Sequence, residues 1–136
     1  MKTITTALTA LILFSSAAYA APAADADAAL MAKGKTVYEK NCAACHGKNG
    51  EGRAPVFPPL TKADYIEGKP QVLAKAIVKG IRGPITVNGK PYNGIMPFIA
   101  MSDADAAALS TFVMNAFNNG GGTVTEKDIK QARSQK

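Results

Sequence analysis

Cys42-Ala43-Ala44-Cys45-His46 places two thiols three positions apart with an imidazole directly after them. Three chemistries use such residues. A structural zinc site normally takes four protein ligands, and the whole chain holds two cysteines and one histidine. A redox dithiol of the C-x-x-C kind belongs in a βαβ setting. Strand signals are nearly absent here, and that reading leaves His46 and the loop behind it without a role. A disulfide across so small a loop would add little stability. The spacing C-x-x-C-H fits a third chemistry, attachment of a c-type haem. Two cysteines on one helical turn can form thioethers with the vinyl groups on one side of a porphyrin, and the next residue sets an imidazole under the iron. This is the expected cofactor: one haem c per chain, bound through Cys42 and Cys45, with His46 as the first axial ligand.

The sixth position must come from elsewhere. With a single histidine, bis-histidine ligation is excluded by inventory. A methionine thioether is the natural partner and raises the reduction potential. Met31 falls on the packing face of a helix. Met114 stands roughly 140° from Leu109 on its helix, off the apolar stripe. Met101 immediately precedes a helix cap, where an apolar staple is the ordinary use. Met96 lies in "YNGIMPF", a loop with Gly94 to allow close approach and Pro97 to stiffen the backbone. Met96 is therefore the expected second metal ligand, with Met101 as the second candidate.

The elements that must position these residues are helical. Asp27 caps a helix running to about Asn41, with Leu30, Met31, Gly34, Val37 and Tyr38 on one face. Residues 47–60 are a breaker-rich loop, and "KADYI" suggests one or two helical turns. Pro70 and Gly80 bracket the next helix in the usual order, with Val72, Leu73, Ala76 and Ile77 as its stripe. Asn88-Gly89 between "ITV" and "KPY" signals a two-residue hairpin turn near 85–92. Ser102 caps the last large helix, with Asp105 as a short capping-box partner. Ala106, Leu109, Phe112, Val113, Ala116 and Phe117 form its face, and "NNGGG" stops it. Thr125 and Asp128 repeat the capping pattern for a short basic tail helix.

The chain has 136 residues, enough for one modest domain. Lys2, the apolar run "TALTALILFSSAA" and Ala18-Tyr19-Ala20 read as an export signal cleaved after Ala20. The boundaries expected are 1–20 signal peptide, 21–27 flexible lead, 28–120 core domain and 121–136 extension. Periplasmic localisation follows, and it makes nucleic acid an improbable partner. The formal charge of +6 is carried by scattered lysines rather than an arginine-rich stripe.

With these residues in view, the chain resembles a monohaem class I cytochrome c. The resemblance rests on "GKTVYEKNCAACHG", "PPL", "NGIMPF" and "LSTFVMNAF". "ITVNGKPYNGIMPF" and "GGTVTEKDIKQAR" are further similar to cytochrome domains associated with copper nitrite reductases and periplasmic dehydrogenases. The resemblance departs at Met101, where that group more often has leucine. It implies an all-α fold with the first and last large helices crossed, Gly34 and Tyr38 against Leu109 and Phe112. It also implies a backbone carbonyl near Pro58 receiving the outer N–H of His46. One-electron transfer without bond-making catalysis is the expected function. The carrier would be a monomer serving redox proteins with acidic docking surfaces, among them a nitrite reductase or terminal oxidase. Lys48, Lys62 and Lys90 are the steering residues expected, and membrane contact would come only through partner complexes. The alternative is an electron-transfer subunit held in an oxidoreductase complex such as a dehydrogenase. A haem-free thiol or metal-binding module is a third class.

Overall fold

Glycine at position 34 decides how the two longest helices meet. A computed structural model describes residues 23–136. The export signal, its cleavage after Ala20 and residues 21–22 of the lead lie outside the described residues. Helix α1 (Ala23–Asn41) packs along α4 (Asp103–Ala116). A Cβ on Gly34 would stand 2.6 Å from Cβ of Phe112 and 2.8 Å from the carbonyl carbon of Ala108. Only a glycine admits this approach, so its cost inside a helix is offset by contact. Beside it, Tyr38, Phe112 and Phe117 form a three-ring cluster with centroids 5.0–5.7 Å apart. Each tilted or edge-on pair adds about 0.5–1.5 kcal/mol beyond the area it buries. The Lys33–Asp105 ion pair at 2.9 Å spans the same two helices, but its exposure leaves it worth little.

Helix α1 begins at Ala23, four residues before the expected Asp27 cap. The first turns are alanine and aspartate. Alanine is the strongest helix former, and acidic side chains near a helix N-terminus are favoured by its dipole. Helix α2 (Ala43–His46) is a single turn. The "KADYI" segment makes one turn, closed by the Glu67 amide on the Ala63 carbonyl, and no helix. Helix α3 (Pro70–Lys79) starts on Pro70 and ends at Gly80, whose φ is +76°.

The chain is not wholly helical. Strands β2 (Ile85–Val87) and β3 (Lys90–Tyr92) form the expected hairpin, with Val87 opposite Lys90. Asn88 and Gly89 both have positive φ, as a two-residue primed turn requires. A second, unanticipated antiparallel ladder joins β1 (Ile81–Arg82) to β4 (Ile95–Met96), pairing Ile81 with Met96. Met96 therefore sits on a short strand rather than in a free loop.

Helix α4 is the centre of the core. Ala106 through Thr111 are all buried, as are Val113 and Met114. The one-sided face expected from its sequence is too narrow: Met114 is 1% exposed, whereas Ala116 is open to solvent. The reason is that α4 packs on α1, α3 and α5 (Glu126–Ser134) together. Ser102 caps α4 by accepting from the Asp105 amide, and Thr125 with Asp128 completes a reciprocal capping box on α5. Helix α5 docks through Ile129 and Ala132. No helix among the described residues is long and apolar enough to cross a membrane.

Candidate haem-attachment site

The attachment sequence is held in place by α1. The Cys42 amide donates to the Tyr38 carbonyl at 2.8 Å, and the His46 amide to the Cys42 carbonyl at 2.9 Å. Cys42 and Cys45 thus stand on one turn, both as free thiols, the first buried and the second exposed. Burial, with Cys45 nearby, pushes the Cys42 thiol up to about 11. From behind the turn, the buried Tyr38 hydroxyl donates to the Gly47 carbonyl at 2.7 Å. Burial first, then the charges of Cys42 and Glu51, hold that hydroxyl well above the ordinary phenol range.

His46 is 8% exposed. Its Nδ1 lies 2.9 Å from the Pro58 carbonyl oxygen. A carbonyl can only accept, so Nδ1 carries the hydrogen and Nε2 keeps its lone pair. Burial lowers the proton affinity of the ring, against the pull of the Pro58 carbonyl. The side chain is a neutral, oriented imidazole with one basic nitrogen, as a metal-binding histidine requires.

Two apolar hollows of about 140 and 50 Å³ open beside this turn. They share Cys42, His46, Pro58, Ile81, Ile85 and Met96 in their walls, so they form one continuous slot. No charged side chain lines either hollow. Leu109 and Val113 of α4 close the inner part, and Val56, Ile95 and Pro97 stand at the outer part. The donor set fits haem c: two thiols on one turn, an oriented imidazole and a thioether all line the same apolar slot.

The structure brings Cys42, Cys45, His46 and Met96 to this one slot. It keeps the other described methionines out of its walls. Met101 is half-buried against the core, and its carbonyl receives Arg133. Met114 is excluded as well, though by burial in the core and not by facing away from it.

Several supporting roles escaped sequence reasoning. Gly80 allows β4 to cross close by, since a Cβ there would lie 2.5 Å from the Met96 carbonyl oxygen. Asn119, wholly buried, donates to the Leu60 and Val113 carbonyls and accepts from the Ala63 amide. The asparagine pair before "GGG" had been legible only as a helix stop. Lys48, Lys62 and Lys90 are exposed, and none lines the slot.

Comparison with known proteins bears on this geometry. The cytochrome c family model matches residues 31–117. Cytochrome c-552 of Thermus thermophilus is 32% identical over 115 residues, covering 77% of this chain and 87% of that protein. The cbb3-type cytochrome c oxidase subunit CcoP of Azospirillum brasilense is 37% identical over 103 residues, 71% of this chain and 30% of the subunit. The cytochrome c subunit of a quinone alcohol dehydrogenase from Gluconobacter oxydans is 35% identical over 105 residues, 74% of this chain and 22% of the subunit. A match that spans the attachment turn and Met96 alike leads to one conclusion: the chain belongs to the cytochrome c family, whose members hold haem c covalently and transfer electrons.

Proposed function

We infer that this chain is a periplasmic one-electron carrier with a single haem c, held by thioethers from Cys42 and Cys45 and ligated by His46 and Met96. The observation that carries this reading is that the imidazole oriented by Pro58 and the thioether of Met96 share one apolar slot. Bound there, haem c supplies a ferrous–ferric couple. The residues of the chain keep that couple to electron exchange. His46 and Met96 would both hold the iron, leaving no position there for a substrate. The Pro58 carbonyl fixes the imidazole tautomer and makes Nε2 more basic. Ile81, Ile85, Leu109 and Val113 keep water from the inner slot, which limits reorganisation when charge changes.

The test is a pair of visible spectra, oxidised and reduced, of protein matured with haem-attachment machinery. The parent and Met101→Ala are expected to be low-spin, and Met96→Ala is expected to lose low-spin ligation. Loss confined to Met101→Ala would reverse the axial assignment, and protein without covalent haem would remove the reading altogether. The exported location rests on residues 1–20, and the intact mass of protein from the periplasmic fraction should correspond to a chain starting at Ala21.

A second reading is favoured by the relatives that are subunits of an oxidase and a dehydrogenase. In it, this chain is an electron-transfer subunit held in an oxidoreductase complex. Co-purification with a larger enzyme in high salt would select it over a monomeric carrier that meets acidic partners through Lys48, Lys62 and Lys90. A nitrite reductase or terminal oxidase is the acceptor class proposed for the free carrier.

A further inference from the structure

The segment that carries Met96 is fastened at three points. At its start, Met96 pairs with Ile81 in the β1–β4 ladder. In its middle, the Ile99 amide donates to the Ile77 carbonyl of α3 at 2.9 Å. At its end, Arg133 of α5 donates from Nη2 to the Met101 carbonyl at 2.9 Å and from Nε to the Asp103 carboxylate at 2.8 Å. The first two fastenings lie inside the span matched by the family, and the third reaches in from outside it.

Helix α5 does not line the slot. Its own docking uses Ile129 and Ala132, which are 0% and 3% exposed. Arg133 is half-buried, and its fork is committed to one carbonyl and one carboxylate at the far end of the Met96 segment. A planar guanidinium fixes direction as well as distance, which an ammonium does not. Asp103 opens α4, where a negative charge is already favoured. The pair therefore joins two helices and the segment's end at a single point.

We propose that Arg133 is a positioning residue for the Met96 ligand. By holding the Met101 carbonyl and Asp103 it fixes the end of segment 96–103 and sets how often the thioether leaves the iron. This rests on Met96 as the axial ligand. Without Arg133 the ladder and the Ile99 bond remain, so the segment opens locally more often while the domain stays folded.

The experiment uses ferric holoprotein of the parent, Arg133→Ala, Arg133→Lys, Met96→Ala and Thr125→Ala. Thr125→Ala removes the cap at the other end of α5 and keeps the guanidinium. Three quantities are measured: the weak long-wavelength absorption from sulfur-to-iron charge transfer, imidazole affinity, and global stability in guanidinium chloride. The parent shows the band and Met96→Ala lacks it. Arg133→Ala binds imidazole roughly tenfold more tightly, the scale of one charge-assisted hydrogen bond, with Arg133→Lys between it and the parent. Thr125→Ala loses stability yet binds imidazole as the parent does. Parent-like affinity in Arg133→Ala overturns the proposal, as does an equal gain in Thr125→Ala at matched stability. A parent without the band, or Met96→Ala that keeps it, removes the Met96 reading and this proposal with it.

Discussion

Tyr38 connects the packing of the helices to the attachment turn. Its ring belongs to the cluster with Phe112 and Phe117, and its hydroxyl donates to the carbonyl immediately after His46. The two roles separate cleanly in Tyr38→Phe, which keeps the ring and removes the donor. The Gly47 carbonyl would then keep only the longer bond from the Gly50 amide at 3.3 Å, at a cost of about 0.5–1.5 kcal/mol. Guanidinium unfolding of the holoprotein should show that loss, with the spectrum of the folded state unchanged because Pro58 still orients His46. A parent-like midpoint would mean that the bond contributes nothing net. The Tyr38 position was readable in sequence as part of a helical face, but the hydroxyl's partner was not. Nothing in one sequence says which carbonyl folds back over a given phenol.

At the scale of elements, Asn119 ties the Ala63 turn and the Leu60 carbonyl to the end of α4 through one buried amide. Asn119→Ala strands two carbonyls and one amide in the core, where each unmet group costs about 1–3 kcal/mol. The expected loss is roughly 3 kcal/mol or more, read as a lowered denaturation midpoint with an unchanged slope. Loss below about 1 kcal/mol would show that water replaces the amide. Elements with local signatures were legible in advance. Pro70 and Gly80 bracket α3, Asn88-Gly89 turns the hairpin, and Ser102 and Thr125 cap their helices. Elements defined by distant contacts were not. A two-residue strand such as Ile95–Met96 carries no periodicity to detect. Met114 looked misplaced because α5, which helps enclose α4, is separated from it in sequence by the glycine run. The four candidate residues that line the slot could be proposed from sequence for a different reason: attachment chemistry confines two thiols and an imidazole to one helical turn, and the short methionine inventory left few choices for the remaining position.

Over the whole molecule, charge and apolar surface make opposing demands on a partner. The chain carries a formal +6, or +5 once Lys2 leaves with the export signal, enough to attract an acidic surface from a distance. Yet the exposed large hydrophobic residues among those described, Val56, Ile95 and Phe98, gather near the slot mouth, and two of them line it. Encounter would then be steered by dispersed lysines, while the final contact, where electrons cross, would be apolar. These parts respond differently to salt. Screening shortens the reach of charge from about 30 Å at 0.01 M to about 10 Å at 0.1 M ionic strength, but leaves apolar contact intact. For a free carrier, the bimolecular rate with an acidic redox partner should fall about tenfold over that range and then level off. Lys48→Glu, Lys62→Glu and Lys90→Glu together should flatten the fall without lowering the high-salt plateau. Replacing Ile95 and Phe98 with serine should do the reverse, lowering the plateau and preserving the slope. A rate that keeps falling toward zero in high salt would assign the final contact to charge. Stopped-flow reduction by one such partner, measured across ionic strength on the parent and both variants, separates these outcomes.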